Sequence, residues 1–105
     1  MAEPVIVLIT APTAEKAAEL GHALVGAELA ACVNVVPGLR SIYRWEGKVH
    51  DEGEVLLIVK TTREAFARLK ERVLALHGYS CPEVIALPIV EGHAPYLEWI
   101  VKSVR

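Results

Sequence analysis

Residues 29–61 read "LAACVNVVPGLRSIYRWEGKVHDEGEVLLIVKT", and their reading decides the fold. The first arm, 29–45, is too β-branched, and too interrupted by Pro37-Gly38, to be a helix. It predicts a long strand with a bulge or bend at that dipeptide. Glu46-Gly47 predicts a tight turn, and residues 48–61 predict the returning strand. A doubly wound parallel sheet would need a helical crossover between residues 45 and 48, and none fits there. The two arms therefore form a long antiparallel hairpin with a polar, solvated tip.

Outward from the hairpin the pattern alternates. "VIVLIT" (5–10) is a β-branched run that ends at Ala11-Pro12 and predicts a buried strand. A helix is expected from Thr13 to Ala27, capped by Thr13, with Glu15 favouring its first turn. Its apolar stripe is Ala17, Leu20, Leu24 and Ala27. A second helix is expected from Arg63 to His77, with Thr61-x-x-Glu64 as a capping box. Its stripe is Phe66, Leu69, Val73 and Leu76, and Gly78 stands as its C′ residue. A strand "EVIALPIV" (83–90) follows, then a short helix over Tyr96–Val104. The order β-α-β-β-α-β predicts one α+β domain over residues 1–105. Its form is a ferredoxin-like split β-α-β sandwich with a long β2–β3 hairpin and a short C-terminal helix.

Apolar residues make up 53% of the 105. A domain this small has much surface per unit volume and cannot bury them all alone, so a homo-oligomer is expected. Net charge is −2, with 11 basic residues scattered among 13 acidic ones, which leaves no footprint for nucleic acid. The longest apolar runs are about five residues, where a bilayer needs roughly 20, so no membrane partner is expected. "MAEPVIVLIT" lacks a positive n-region, and a cytoplasmic protein is the default. Cys32 and Cys81 are expected as free thiols. There is no Gln, one Asn and one Asp, and Glu is abundant; that balance predicts a thermostable chain.

Residues 76–83, "LHGYSCPE", place His77, Cys81 and Glu83 within seven residues. A closed zinc site needs about four N or S ligands, usually in paired clusters, and this chain has one His and one Cys together. Two readings stand. In one, His77 caps a helix end and Cys81 is a packed thiol. In the other, they contribute to a metal site completed by another subunit. Cys32, amid apolar neighbours, reads as core packing. No nucleophilic elbow and no glycine-rich phosphate loop is present, so no enzyme is indicated.

The segments "ALVGAELAACVNVVPGLRSIYRWEGKV", "EVLLIVKTT", "HGYSCPEVIALPI" and "YLEWI" resemble the CutA divalent-cation tolerance proteins. The resemblance runs from Val5 to Val101. Leu29–Asn34, Ser41–Gly47 and Lys60-Thr-Thr62 carry it, in order and at matching spacings. It implies a ferredoxin-like fold and tight homotrimers formed through the sheets, similar in architecture to the PII signalling proteins. It also implies a role in tolerance of divalent metals such as copper, with no obligatory cofactor and no settled enzymatic activity. A eukaryotic branch is linked to acetylcholinesterase anchoring. The chain departs from the family at Gly78, where His-Pro-Tyr is common. It also departs at Leu76 and Ile9, where some bacterial members carry a histidine and a cysteine, so of that copper-associated set only His77 matches.

A second constellation is Asn34, Trp45, Lys60, Tyr79, Glu83, Tyr96 and Trp99, polar or amphipathic residues where a small core would use aliphatics. It reads either as trimer-interface packing or as an inter-subunit cleft, in which Lys60 and Glu83 could pair. Two functions follow: a trimer that binds copper or another divalent metal weakly, or a trimeric sensor or adaptor for a small metabolite or a protein partner.

Overall fold

In the computed structural model, which describes residues 2–105, seven elements follow one another. They are β1 (Pro4–Ala11), α1 (Ala14–Gly26), β2 (Cys32–Trp45), β3 (Lys48–Thr62), α2 (Phe66–Leu76), β4 (Val84–Pro88) and α3 (Ala94–Ser103). The four strands form one sheet in the order β2-β3-β1-β4, and every neighbouring pair is antiparallel. This is the α+β, ferredoxin-like arrangement that the hairpin required.

Alternation along the two central strands sorts the side chains onto two faces. Val5, Val7, Ile9 and Ala11 of β1 and Val55, Leu57, Val59 and Thr61 of β3 are buried on the inner face. Ala17, Leu20 and Leu24 of α1 and Leu69 and Val73 of α2 cover them, making the main core. Ile100 of α3 is fully buried yet stands outside that cluster, and α3 contacts β3 and β1. Helix α3 therefore packs apart from α1 and α2, against β3 and β1.

The hairpin register is pinned at both ends. The ladder shifts between Val36 and Leu39, the bulge expected at Pro37-Gly38. Pro37 is tolerated because β2 is an edge strand. At the tip, Trp45 pairs with Lys48, and Glu46 and Gly47 both take positive φ, 50° and 77°. That is the two-residue turn whose twist matches a hairpin, with Glu46 in a conformation that a side chain disfavours.

Helix ends follow local chemistry, with one correction. Thr13 Oγ1 accepts from Lys16 N as expected. Glu28, at φ 58°, closes α1, with Leu29 N donating to Leu24 O and Glu28 N to Val25 O, a complete Schellman motif. The Thr61-x-x-Glu64 capping box does not form. Thr61 stays in β3 opposite Val5, and its hydroxyl donates to Leu29 O at 2.6 Å. Glu64 accepts instead from Glu3 N, and Thr62 Oγ1 accepts from Ala65 N. The helix consequently starts at Phe66 rather than Arg63. Cys32 is also corrected: it pairs with Lys60 on the outer face and is half-buried rather than core.

Glu46→Asn should stabilise the chain by about 0.5–1 kcal/mol, since Asn tolerates the left-handed region. Chemical denaturation of the two proteins checks this, and an unchanged midpoint would mean the turn is not under strain.

Candidate functional site

Beyond the bulge, the hairpin leans over the segment that links α2 to β4. Between them lies a cleft of about 640 Å³. Thr10 forms its floor; Ser41, Ile42, Tyr43, Trp45 and Glu54 line the hairpin side; Tyr79, Ser80, Cys81 and Glu83 line the other. Arg40 also belongs to the lining, but its guanidinium donates to Asp51 through Nε at 2.8 Å and Nη2 at 2.6 Å. That bidentate pair raises the arginine's pKa and lowers the aspartate's.

His77 is the keystone of the linking segment. It follows the last turn of α2 and is buried. Its Nε2 lies 2.6 Å from Thr10 O. A carbonyl only accepts, so Nε2 carries the proton, and Nδ1 then accepts from Tyr79 N at 3.4 Å. The ring also packs at 4.6 Å against the Tyr79 ring. Gly78, at φ 96°, makes the sharp exit from the helix that this needs. Lys16 Nζ donates to Leu76 O at 3.0 Å and closes the same helix end from α1. The histidine thus fastens α2 to the end of β1 instead of lying free at a helix terminus, and both ring nitrogens are engaged. Cys81 is exposed. Among the described residues no group of three or more His, Cys, Asp or Glu side chains is placed to hold a metal ion.

The expected seven-residue constellation divides in two. Trp45, Tyr79 and Glu83 meet in the cleft. Lys60 instead donates to Asn34 on the outer face, so it does not pair with Glu83. Tyr96 and Trp99 pack on each other at 5.4 Å. Burial, then the nearby Cys32, raises the pKa of Tyr96.

Tyr43, Glu54 and Ser41 are among the lining residues that the sequence analysis does not single out. Strand parity was the available signal, because Glu52, Glu54, Leu56, Ile58 and Lys60 share one face of β3. Tyr79 O–H donates to Glu54 Oε2 at 3.0 Å. Its phenol is pushed up to about 12, first by burial, then by the bond to Glu54 and by the charges of Glu54 and Glu52. Tyr43 O–H donates to Glu52, and its ring stacks at 5.1 Å on His50. The cleft is therefore aromatic, with the Glu54 carboxylate held in place by the Tyr79 hydroxyl.

The family model "CutA1 divalent ion tolerance protein" matches residues 5–103. The chain belongs to the CutA1 divalent ion tolerance family. It is 59% identical over 95 residues to the divalent-cation tolerance protein CutA of Thermus thermophilus, covering 90% of this chain and 92% of that one. The solved divalent cation tolerance protein from Thermus thermophilus superposes with a TM-score of 0.95 at 55% identity, over 97% of this chain and 99% of that chain. The chloroplastic protein CutA of Arabidopsis thaliana is 48% identical over 101 residues, which are 96% of this chain but 56% of the plant protein. The CutA1 family role is divalent cation tolerance. No helix among the described residues is long and apolar enough to cross a membrane.

His77→Ala should cost about 2–3 kcal/mol by leaving the buried Thr10 carbonyl without its donor, measured by denaturant unfolding; a loss below a few tenths would remove His77 from its structural role. In a spectrophotometric titration Tyr79 should ionise near pH 12. Because the raised pKa favours the neutral phenol, its stabilising contribution is complete below pH 10 and is lost as pH rises through 12. Glu54→Gln should lower that midpoint only in part, since burial is the larger cause; no movement would contradict the Tyr79–Glu54 bond.

Proposed function

We propose that this chain works as a homotrimeric divalent-cation tolerance protein, one domain over residues 1–105, that contacts copper or another divalent ion weakly. The observation that carries the reading is the family match over residues 5–103. The trimer is supported by the outer face. Ile6, Leu8, Leu56 and Ile58 lie there half-buried, and Val36, Ile85 and Leu87 are exposed. A contiguous apolar surface between two open sheet edges is an aggregation hazard unless another surface covers it. In the trimer Asn34, Lys60, Tyr96 and Trp99 become inter-subunit contacts, and the cleft holding Trp45, Tyr79 and Glu83 stands at the subunit boundary.

For the metal, Cys81 and Glu83 are the first donors, since both line the cleft and are exposed. Two donors give an exchangeable contact rather than a resident ion. His77 joins only by giving up its bond to Thr10 or Tyr79. The activity is binding, not catalysis. Two free thiols suit a reducing compartment, so the proposed location is the cytoplasm. The Glu-rich, Gln-free composition supports a melting midpoint above the mesophile range of about 45–65 °C. The size and aromatic lining of the cleft favour a second reading, a trimeric sensor or adaptor whose site takes a small metabolite or a segment of a protein partner.

Light scattering should return about three times the chain mass of 11.5 kDa; a mass near one chain would sink the assembly. Calorimetric titration with copper should give a weak binding isotherm that Cys81→Ser diminishes. No heat in the parent protein would sink direct metal binding.

A further inference from the structure

The cleft has an electrostatic character that selects among ligands. Glu54 and Glu83 both line it, and among the described residues neither pairs with a cation. The one cation in the lining, Arg40, is neutralised by Asp51. Just outside, the Glu52 carboxylate is held by Tyr43 and lies 3.6 Å from His50 Nδ1. The cleft therefore offers negative charge, and a phosphate or carboxylate ligand would meet repulsion there.

Three rings, Tyr43, Trp45 and Tyr79, line the same space. Aromatic faces attract cations, and most strongly where water is displaced. The hydroxyl of Tyr79 donates to Glu54 Oε2 at 3.0 Å, so this carboxylate is fixed at the edge of an aromatic ring in the same lining. Burial first, then the bond to Glu54 and the charges of Glu54, Tyr43 and Glu52, raises the pKa of Tyr79 in this lining. A divalent ion wants at least four ligands at short distance, and no group of three donors is assembled among the described residues. A volume of about 640 Å³ is that of a small-molecule site.

We infer that this cleft binds a small organic cation, an ammonium or guanidinium group on an apolar body, with Glu54 and Glu83 facing the charge and Tyr43, Trp45 and Tyr79 enclosing the rest. The inference rests on the cleft being a ligand site of the assembled protein, and it names the class of ligand. Weak metal contact at Cys81 competes with that cation for Glu83 but does not need the rings.

The test uses the intact assembled protein, its mass fixed beforehand, at low ionic strength where surface charge is little screened. Phenethylammonium is titrated by calorimetry and by the fluorescence of Trp45 in a Trp99→Phe background. Its neutral isostere 2-phenylethanol, the anion 3-phenylpropanoate, and copper or zinc chloride alone are run beside it. Phenethylammonium should saturate and change Trp45 emission, with 2-phenylethanol about tenfold weaker and the anion silent. Glu54→Gln should weaken the ammonium about tenfold at unchanged mass, and Glu15→Gln on α1 should change nothing. Equal binding of the neutral isostere, indifference to Glu54→Gln, or saturation by metal chlorides with no response to the ammonium would each overturn the proposed ligand class. Those results leave the trimer standing, whereas failure of the assembly shows separately as a mass of one chain.

Discussion

Everything else in the molecule hangs on the register of the β2–β3 ladder. Side chains alternate across a strand, so a slip of one residue would exchange the two faces of β3. In the register observed, Val55, Leu57 and Val59 go under the helices, while Glu54, Leu56, Ile58 and Lys60 go to the other face. Two local devices hold it, the Pro37-Gly38 bulge and the Glu46-Gly47 turn. The same register puts Glu54 within reach of Tyr79 and places Tyr43 opposite His50. Core, outer face and cleft are three results of one pairing.

The linking segment 77–83 is the second support. It is short and polar, and it would be mobile without an anchor. His77 supplies the anchor by bonding Thr10 O with one ring nitrogen and Tyr79 N with the other. A residue that looks like a metal ligand in sequence thus holds the wall of a cleft, and its two nitrogens serve structure before chemistry. The exposed donors Cys81 and Glu83 then sit on a fixed frame.

Much of the fold was legible because it depends on local pattern. The hairpin, the bulge, the Thr13 cap and both helix stripes follow from spacing and turn chemistry alone. The Thr61-x-x-Glu64 box was misleading because tertiary pairing overrode a local signal. Thr61 is held in β3 by Val5 and by Leu29 O, so it cannot leave the strand to cap a helix. Cys32 looked like core because its neighbours are apolar, but an edge strand over an open face gives apolar residues a half-exposed place. The site was legible only in part. Trp45, Tyr79 and Glu83 converge, while Lys60 and Asn34 pair elsewhere, because strand parity and the bulge decide which distant residues meet. Tyr43 and Glu54 were missed for the same reason: their partners come from other elements.

The proposed trimer and the outer apolar face are linked by one physical requirement, that Ile58 and its neighbours find a covering surface. The most direct test is the solution mass of Ile58→Asp, measured with its circular dichroism. If the register places Ile58 outward against another subunit, the variant keeps its native spectrum and falls to the 11.5 kDa of one chain. An unchanged assembly mass, or a single chain that has lost its secondary structure, would contradict the account.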